Sequence, residues 1–141
     1  MKVFAIRLKP DQDLKKSLQD FAIKQNIQAG FILTGIGSLK KATLRFANHR
    51  YSTAFNDNFE ILSLNGTLEA AGIHLHIAIA NKEGRTIGGH LMEGCIIYTT
   101  AEIVIGASEE LTFLRTMDEQ TGCKELEIFP STNYQPNAIQ T

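Results

Sequence analysis

The spacing of apolar residues changes early in the chain. Residues 2–8 form a short run rich in Val, Phe and Ile that stops before Pro10, as a strand closed by a turn would. Beyond it, Leu14, Leu18 and Phe21 fall at i, i+4 and i+7, with Lys15, Lys16, Gln19 and Asp20 between them. That spacing predicts a helix capped by Asp11 or Asp13 and running to about Gln25. Its single apolar stripe needs a sheet to cover. Strand-like runs follow at 30–36, 42–47, 59–64, 73–80, 95–105 and 125–129. Turn signals separate them at Gly37-Ser38, Asn56-Asp57-Asn58, Asn65-Gly66, 81–84 and Gly88-Gly89. Residues 109–117 suit a short helix or another strand. One early helix followed by strands argues for an α+β domain with a mainly antiparallel sheet. In this reading 1–130 is the domain, and 131–141, without a sustained apolar pattern, is a weakly held tail.

Alternation gives the most informative segment its meaning. In Ile73-His74-Leu75-His76-Ile77-Ala78-Ile79-Ala80, a strand turns the isoleucines and Leu75 to one face and His74, His76, Ala78 and Ala80 to the other. Two imidazoles then project side by side over small side chains. A third, His90, follows Gly84-Arg85-Thr86-Ile87-Gly88-Gly89, where glycine lets the backbone turn back. Three neutral imidazoles with an open fourth position suit zinc that keeps a water, although nickel, copper or iron accepts the same nitrogens. The alternative is a set of histidines hydrogen-bonded in a polar cleft or a subunit interface. His49, in a polar segment, reads as a surface residue.

Glu102 interrupts the apolar run 95–105, sharing a face with Tyr98, Thr100 and Val104. A carboxylate in such a strand must be paired or solvated. It suits a general base near a metal-bound water, a partner orienting an imidazole, or half of an intersubunit ion pair. Thr34-Gly35-Ile36-Gly37-Ser38 is not a dinucleotide loop, because Lys40 stands where the fingerprint needs glycine and a strand follows in place of a helix. Cys95, at a strand start, reads as packing. Lys40, Lys41, Arg45 and Arg50 are the candidate nucleic-acid contacts, although a solvated face accounts for them equally.

Composition narrows these choices. The 141 residues, 43% hydrophobic and 21% charged, suit one globular domain and exclude a disordered effector. A formal net charge of −1 supplies no global field for a phosphate backbone, so DNA contact would need a local patch or a partner. Two distant cysteines make no disulfide scaffold or cysteine zinc cluster. Arg7, Lys9 and Asp11 break any export-signal core, and no apolar stretch approaches the ~20 residues of a membrane span. The expectation is a soluble, cytoplasmic protein without membrane contact.

Three segments together resemble the plant- and prokaryote-conserved (PPC) domain family. They are Gly30-Phe31-Ile32-Leu33-Thr34-Gly35-Ile36-Gly37-Ser38-Leu39 with Ala42-Thr43-Leu44-Arg45, then Phe59-Glu60-Ile61-Leu62-Ser63-Leu64-Asn65-Gly66, then 72–76 with Gly84, Gly88-Gly89-His90-Leu91, Gly94 and Thr99-Thr100-Ala101-Glu102. The resemblance runs to about Phe129. It implies an α/β domain with a mainly antiparallel, strongly twisted sheet and one principal N-terminal helix, assembled as a homotrimer. Plant relatives join this domain to an AT-hook, absent from this sequence, and use it for trimerisation and contacts with nuclear proteins. The likeness is to the stand-alone prokaryotic members, often described as DNA-binding and, where the histidine motif is present, thought to hold zinc. Two functions are therefore expected: a homotrimeric module that associates with DNA or DNA-associated proteins and carries zinc, or a zinc hydrolase on a small metabolite with Glu102 as its base.

Overall fold

The computed structural model describes residues 1–132, so the tail expected at 131–141 lies, beyond Thr132, outside them. Among the described residues, nine strands and one helix follow in the order β1 (Lys2–Leu8), α1 (Leu14–Lys24), β2 (Gly30–Arg45), β3 (Thr53–Phe55), β4 (Phe59–Glu69), β5 (Gly72–Ala80), β6 (Thr86–Leu91), β7 (Ile96–Ala107), β8 (Leu111–Met117) and β9 (Lys124–Pro130). The fold is α+β, with a seven-stranded antiparallel sheet in the order β1-β7-β2-β4-β5-β6, β3 beside β2, and a separate β8-β9 hairpin. Residues 109–117 thus yield a strand.

Helix α1 starts at Asp13, whose Oδ1 accepts the Lys16 backbone N–H at 3.0 Å while its Oδ2 accepts that of Gly94 at 2.6 Å. Asp13 therefore satisfies a free helix-end N–H and ties the helix to the turn before β7. Leu14, Leu18 and Ala22 are fully buried, and Phe21 meets Phe4 edge-on at 5.5 Å. Burying each leucine contributes about 1.5–3 kcal/mol. The stripe packs on β4 and β7, over a core that includes Leu39, Leu64, Leu75, Ile79, Ile97 and Ile105.

Three turns expected from glycine do not exist. Gly37 and Gly66 lie inside the long strands β2 and β4, at φ +145° and +136°. A Cβ at Gly37 would run into the Thr100 carbonyl oxygen, and one at Gly66 into that of His74. These glycines serve close strand crossings in a curled sheet, and the β2–β7 register shifts directly after Gly37. The curl brings β6 back to β2, where Leu44 and Arg45 pair with Leu91 and His90. Gly88 and Gly89 likewise sit within β6: a Cβ would stand 2.8 Å from the Ile77 carbonyl oxygen at the first and 2.8 Å from that of Arg45 at the second. The chain reverses instead at 81–84, where Asn81 Oδ1 accepts the backbone N–H groups of Glu83 and Arg85.

Candidate metal centre

The closure of β6 on β2 builds one row of side chains across the sheet. Asn65 of β4 faces His76 of β5, His76 faces His90 of β6, and His90 faces Arg45 of β2. Residues directly opposite each other on antiparallel strands point to the same side, with Cβ atoms about 4.5–5.5 Å apart. His74, two positions before His76, shares that side and faces Thr67. On the opposite side Leu75, Ile77 and Ile79 enter the core, as alternation predicts.

The imidazoles converge. Ring centroids are separated by 4.9 Å for His74 and His90, 5.1 Å for His74 and His76, and 5.6 Å for His76 and His90. One ligand nitrogen from each lies within 4.8 Å of the others. His74 Nε2 and His76 Nε2 are 3.3 Å apart. Two nitrogens on one tetrahedral ion at about 2.0–2.1 Å would stand about 3.3–3.4 Å apart, so this pair is set for a shared ion. Without an ion the same contact is a hydrogen bond from one ring's Nε2–H to the other ring. His90 Nδ1 is buried and has no hydrogen-bond partner among the described residues. Burial, then the neighbouring His74 and the cations Lys15 and Arg45, hold His90 down to about 4. Burial likewise lowers His74, helped by Arg115 and His76 and opposed by Glu125. These two rings are thus kept in the neutral form that binds metal.

A second layer, unmarked in the sequence, closes over this row. Arg115 on β8 donates from Nε to Glu69 Oε1 at 3.0 Å and from a terminal nitrogen to Thr67 Oγ1 at 2.6 Å. Glu69 is 1% exposed, its Oε2 is without a partner among the described residues, and burial lifts its carboxyl above the ordinary value despite Arg115. The hairpin so fastened borders two cavities with the histidines. One, of about 320 Å³, is lined by His74, His76, Arg115 and Glu125; the other, of about 480 Å³, by Arg45, His74, His90, Arg115, Lys124 and Glu125.

The other residues singled out by sequence disperse. Glu102 is exposed on β7, facing Arg7 and Ile36, with β2 and β4 between it and the histidine strand; the structure does not bring it to the imidazoles. Lys40 is paired with Asp11, Arg50 lies against the Tyr51 ring at 5.7 Å, and Arg45 lines a cavity with His74 and His90. His49 is exposed. Cys95 is buried, its Sγ bonded to the Thr43 backbone and its thiol pushed up to about 11 chiefly by burial, so it packs and does not react.

Residues 1–109 match the family model described as the Plants and Prokaryotes Conserved (PCC) domain. The chain is 50% identical over 128 residues to the bifunctional protein GlmU of Synechococcus sp. (strain JA-3-3Ab), a match that covers 91% of this chain and 21% of that protein. It thus spans about a fifth of the length of the curated relatives it matches. A hypothetical protein from Salmonella enterica superposes with a TM-score of 0.90 at 40% identity, covering 92% of this chain and 94% of that one. A candidate DNA-binding protein from Bacteroides thetaiotaomicron gives 0.80 at 26% identity, over 89% and 91% of the two chains. A metal-containing protein from Archaeoglobus fulgidus gives 0.76 at 28%, over 89% and 92%. Together with the motifs, the strand order and the match over most of its length, these similarities make the chain a member of the plant- and prokaryote-conserved domain family.

Proposed function

We propose that the protein is a homotrimeric PPC-domain module that holds zinc between His74, His76 and His90. The observation that carries the metal reading is the 3.3 Å separation of His74 Nε2 and His76 Nε2, with a nitrogen of His90 in reach of both. The likeness to a metal-containing archaeal protein supports it. Zinc bound there would supply a Lewis-acidic centre beside the two cavities. Metal analysis of the purified protein, before and after chelation, tests this reading.

The exposed side of the main sheet supports the assembly. Val3 on β1, Ile36 on β2 and Leu62 on β4 are 53%, 55% and 53% exposed, and Glu102 lies beside Ile36 without a side-chain partner among the described residues. An apolar patch of this kind on a sheet face suits contact with further copies, with Glu102 meeting a neighbour's cation. Mass measurement in solution should give three times the 15.6 kDa of one chain, and Ile36→Glu should reduce it to one. A monomeric wild-type protein would refute the trimer.

A zinc hydrolase acting on a small metabolite is a second reading, favoured by the cavities that adjoin the imidazoles. Glu125, which lines both, is better placed than Glu102 to move a proton there. Esters, phosphoesters and cyclic amides, offered to zinc-loaded wild type and to Glu125→Gln and Glu102→Gln, separate the two carboxylates. DNA contact has the least support from the charge distribution, because Lys40 and Arg50 are engaged elsewhere and net charge is −1. Its test is titration of an AT-rich duplex at low and moderate salt, where phosphate contacts show a steep salt dependence.

A further inference from the structure

We infer that the histidine centre is built to receive a small oxyanion, a molecule bearing a carboxylate or phosphate that bridges the bound ion and Arg45. The inference rests on the zinc reading above and adds the class of ligand. Its starting point is charge. Imidazole ligates a metal in its neutral form, so three histidine ligands bring no charge to offset a divalent ion. A divalent ion so held favours an anionic fourth ligand, hydroxide or an oxyanion, and no carboxylate lies within ligand distance of the three nitrogens among the described residues.

The surrounding side chains increase the imbalance. Arg45, Arg115 and Lys124 line the 480 Å³ cavity with His74 and His90, against Glu125 as its single carboxylate. Arg115 is already engaged by Glu69 and Thr67, but the side chains of Arg45 and Lys124 have no hydrogen bond or ion pair among the described residues. Arg45 is directly opposite His90 in the ladder, which places a planar, permanently charged fork beside the metal position on the same side of the sheet. The ligand that such a guanidinium and a metal ion can share is an oxyanion, which accepts two parallel N–H bonds with one edge and ligates with another oxygen. The cavity has room for a molecule of metabolite size. A DNA duplex presents the same phosphate oxygens on a rod too wide to enter.

Cobalt(II) in place of zinc makes the site visible, because its absorption bands change when a ligand joins the metal. Cobalt uptake is measured first, by stoichiometry. Inorganic phosphate, succinate and a short AT-rich duplex are then titrated separately into the cobalt-loaded full chain and into Arg45→Ala, Arg45→Lys and Lys124→Ala. The expected result is a saturable band shift with phosphate or succinate, the stronger of the two identifying the oxyanion, and none with the duplex. Arg45→Ala should keep one cobalt per chain yet need roughly tenfold more anion or greater, with Arg45→Lys between it and wild type. Cobalt bound one per chain with bands unmoved by either anion, moved equally in Arg45→Ala, or moved by the duplex, would overturn the inference and leave the metal reading standing. A chain that takes up neither cobalt nor zinc removes the metal reading, and this inference with it.

Discussion

Arg115 and Glu69, 46 residues apart, form one of the bonds that tie the β8-β9 hairpin to the sheet: Nε donates to Oε1 at 3.0 Å, with the two side chains 13% and 2% exposed. Such a pair holds geometry more than it adds stability, because both charges lose water. Removing one partner alone is the costly change. Arg115→Met strands the Glu69 carboxylate and should destabilise the protein by about 3–5 kcal/mol in urea unfolding. Arg115→Met combined with Glu69→Leu should recover much of that loss. If the double variant were as unstable as the single one, the cost would come from losing the pair itself and not from a stranded carboxylate, and the pair would add stability as well as geometry.

Gly66 makes a backbone prediction. Its φ of +136° and the closeness of the His74 carbonyl oxygen leave no room for a side chain. Gly66→Ala should cost at least about 1–3 kcal/mol through strain and displace β5 at His74, weakening metal uptake as well as stability. Thermal melting and metal stoichiometry of that variant check both parts. Gly84→Ala is the control for backbone conformation alone, since its φ is +76° but nothing stands within 4 Å of its Cβ position. Its melting temperature should fall with metal stoichiometry intact.

These glycines also show where sequence reading stops. Gly37, Gly66, Gly88 and Gly89 carry the composition of turns, yet each lies inside a strand. The reason is tertiary: a neighbouring strand crosses too closely for a Cβ, and no local pattern distinguishes that need from a turn. By contrast, His74 and His76 were legible because strand alternation is local, and α1 because its 3.6-residue period is local. His90 was matched to them in sequence through a return of the chain along the glycine-framed run 84–89. The structure joins it by ladder pairing with His76 after a reversal at 81–84. The partners that complete the site, Arg115, Glu69 and Glu125, meet only when the hairpin folds onto the sheet. A segment that reads equally as helix or strand could not announce that contact.

The histidines set a pH dependence for the metal-free protein. His90 titrates near 4 when folded, against 6.5 for the ordinary imidazole, so between these values the unfolded chain binds a proton that the folded chain refuses. This group therefore leaves stability unchanged above about pH 6.5 and lowers it progressively as pH falls toward 4. The lowered His74 acts in the same direction. Urea midpoints of chelated wild type and His90→Phe, compared from pH 7.5 to 4.5, should show the wild type losing more stability with acid. Parallel curves would mean that His90 is not held neutral by the fold.

Metal stoichiometry is the most direct measurement of the central claim. Wild-type protein, stripped with a chelator and dialysed against zinc at pH 7.5, should retain one zinc per chain by elemental analysis. His76→Ala, which removes one of the two nitrogens set 3.3 Å apart and leaves the core intact, should retain none while unfolding cooperatively. Zinc retained equally by His76→Ala, or no transition metal retained by the wild type, would contradict a metal centre at His74, His76 and His90.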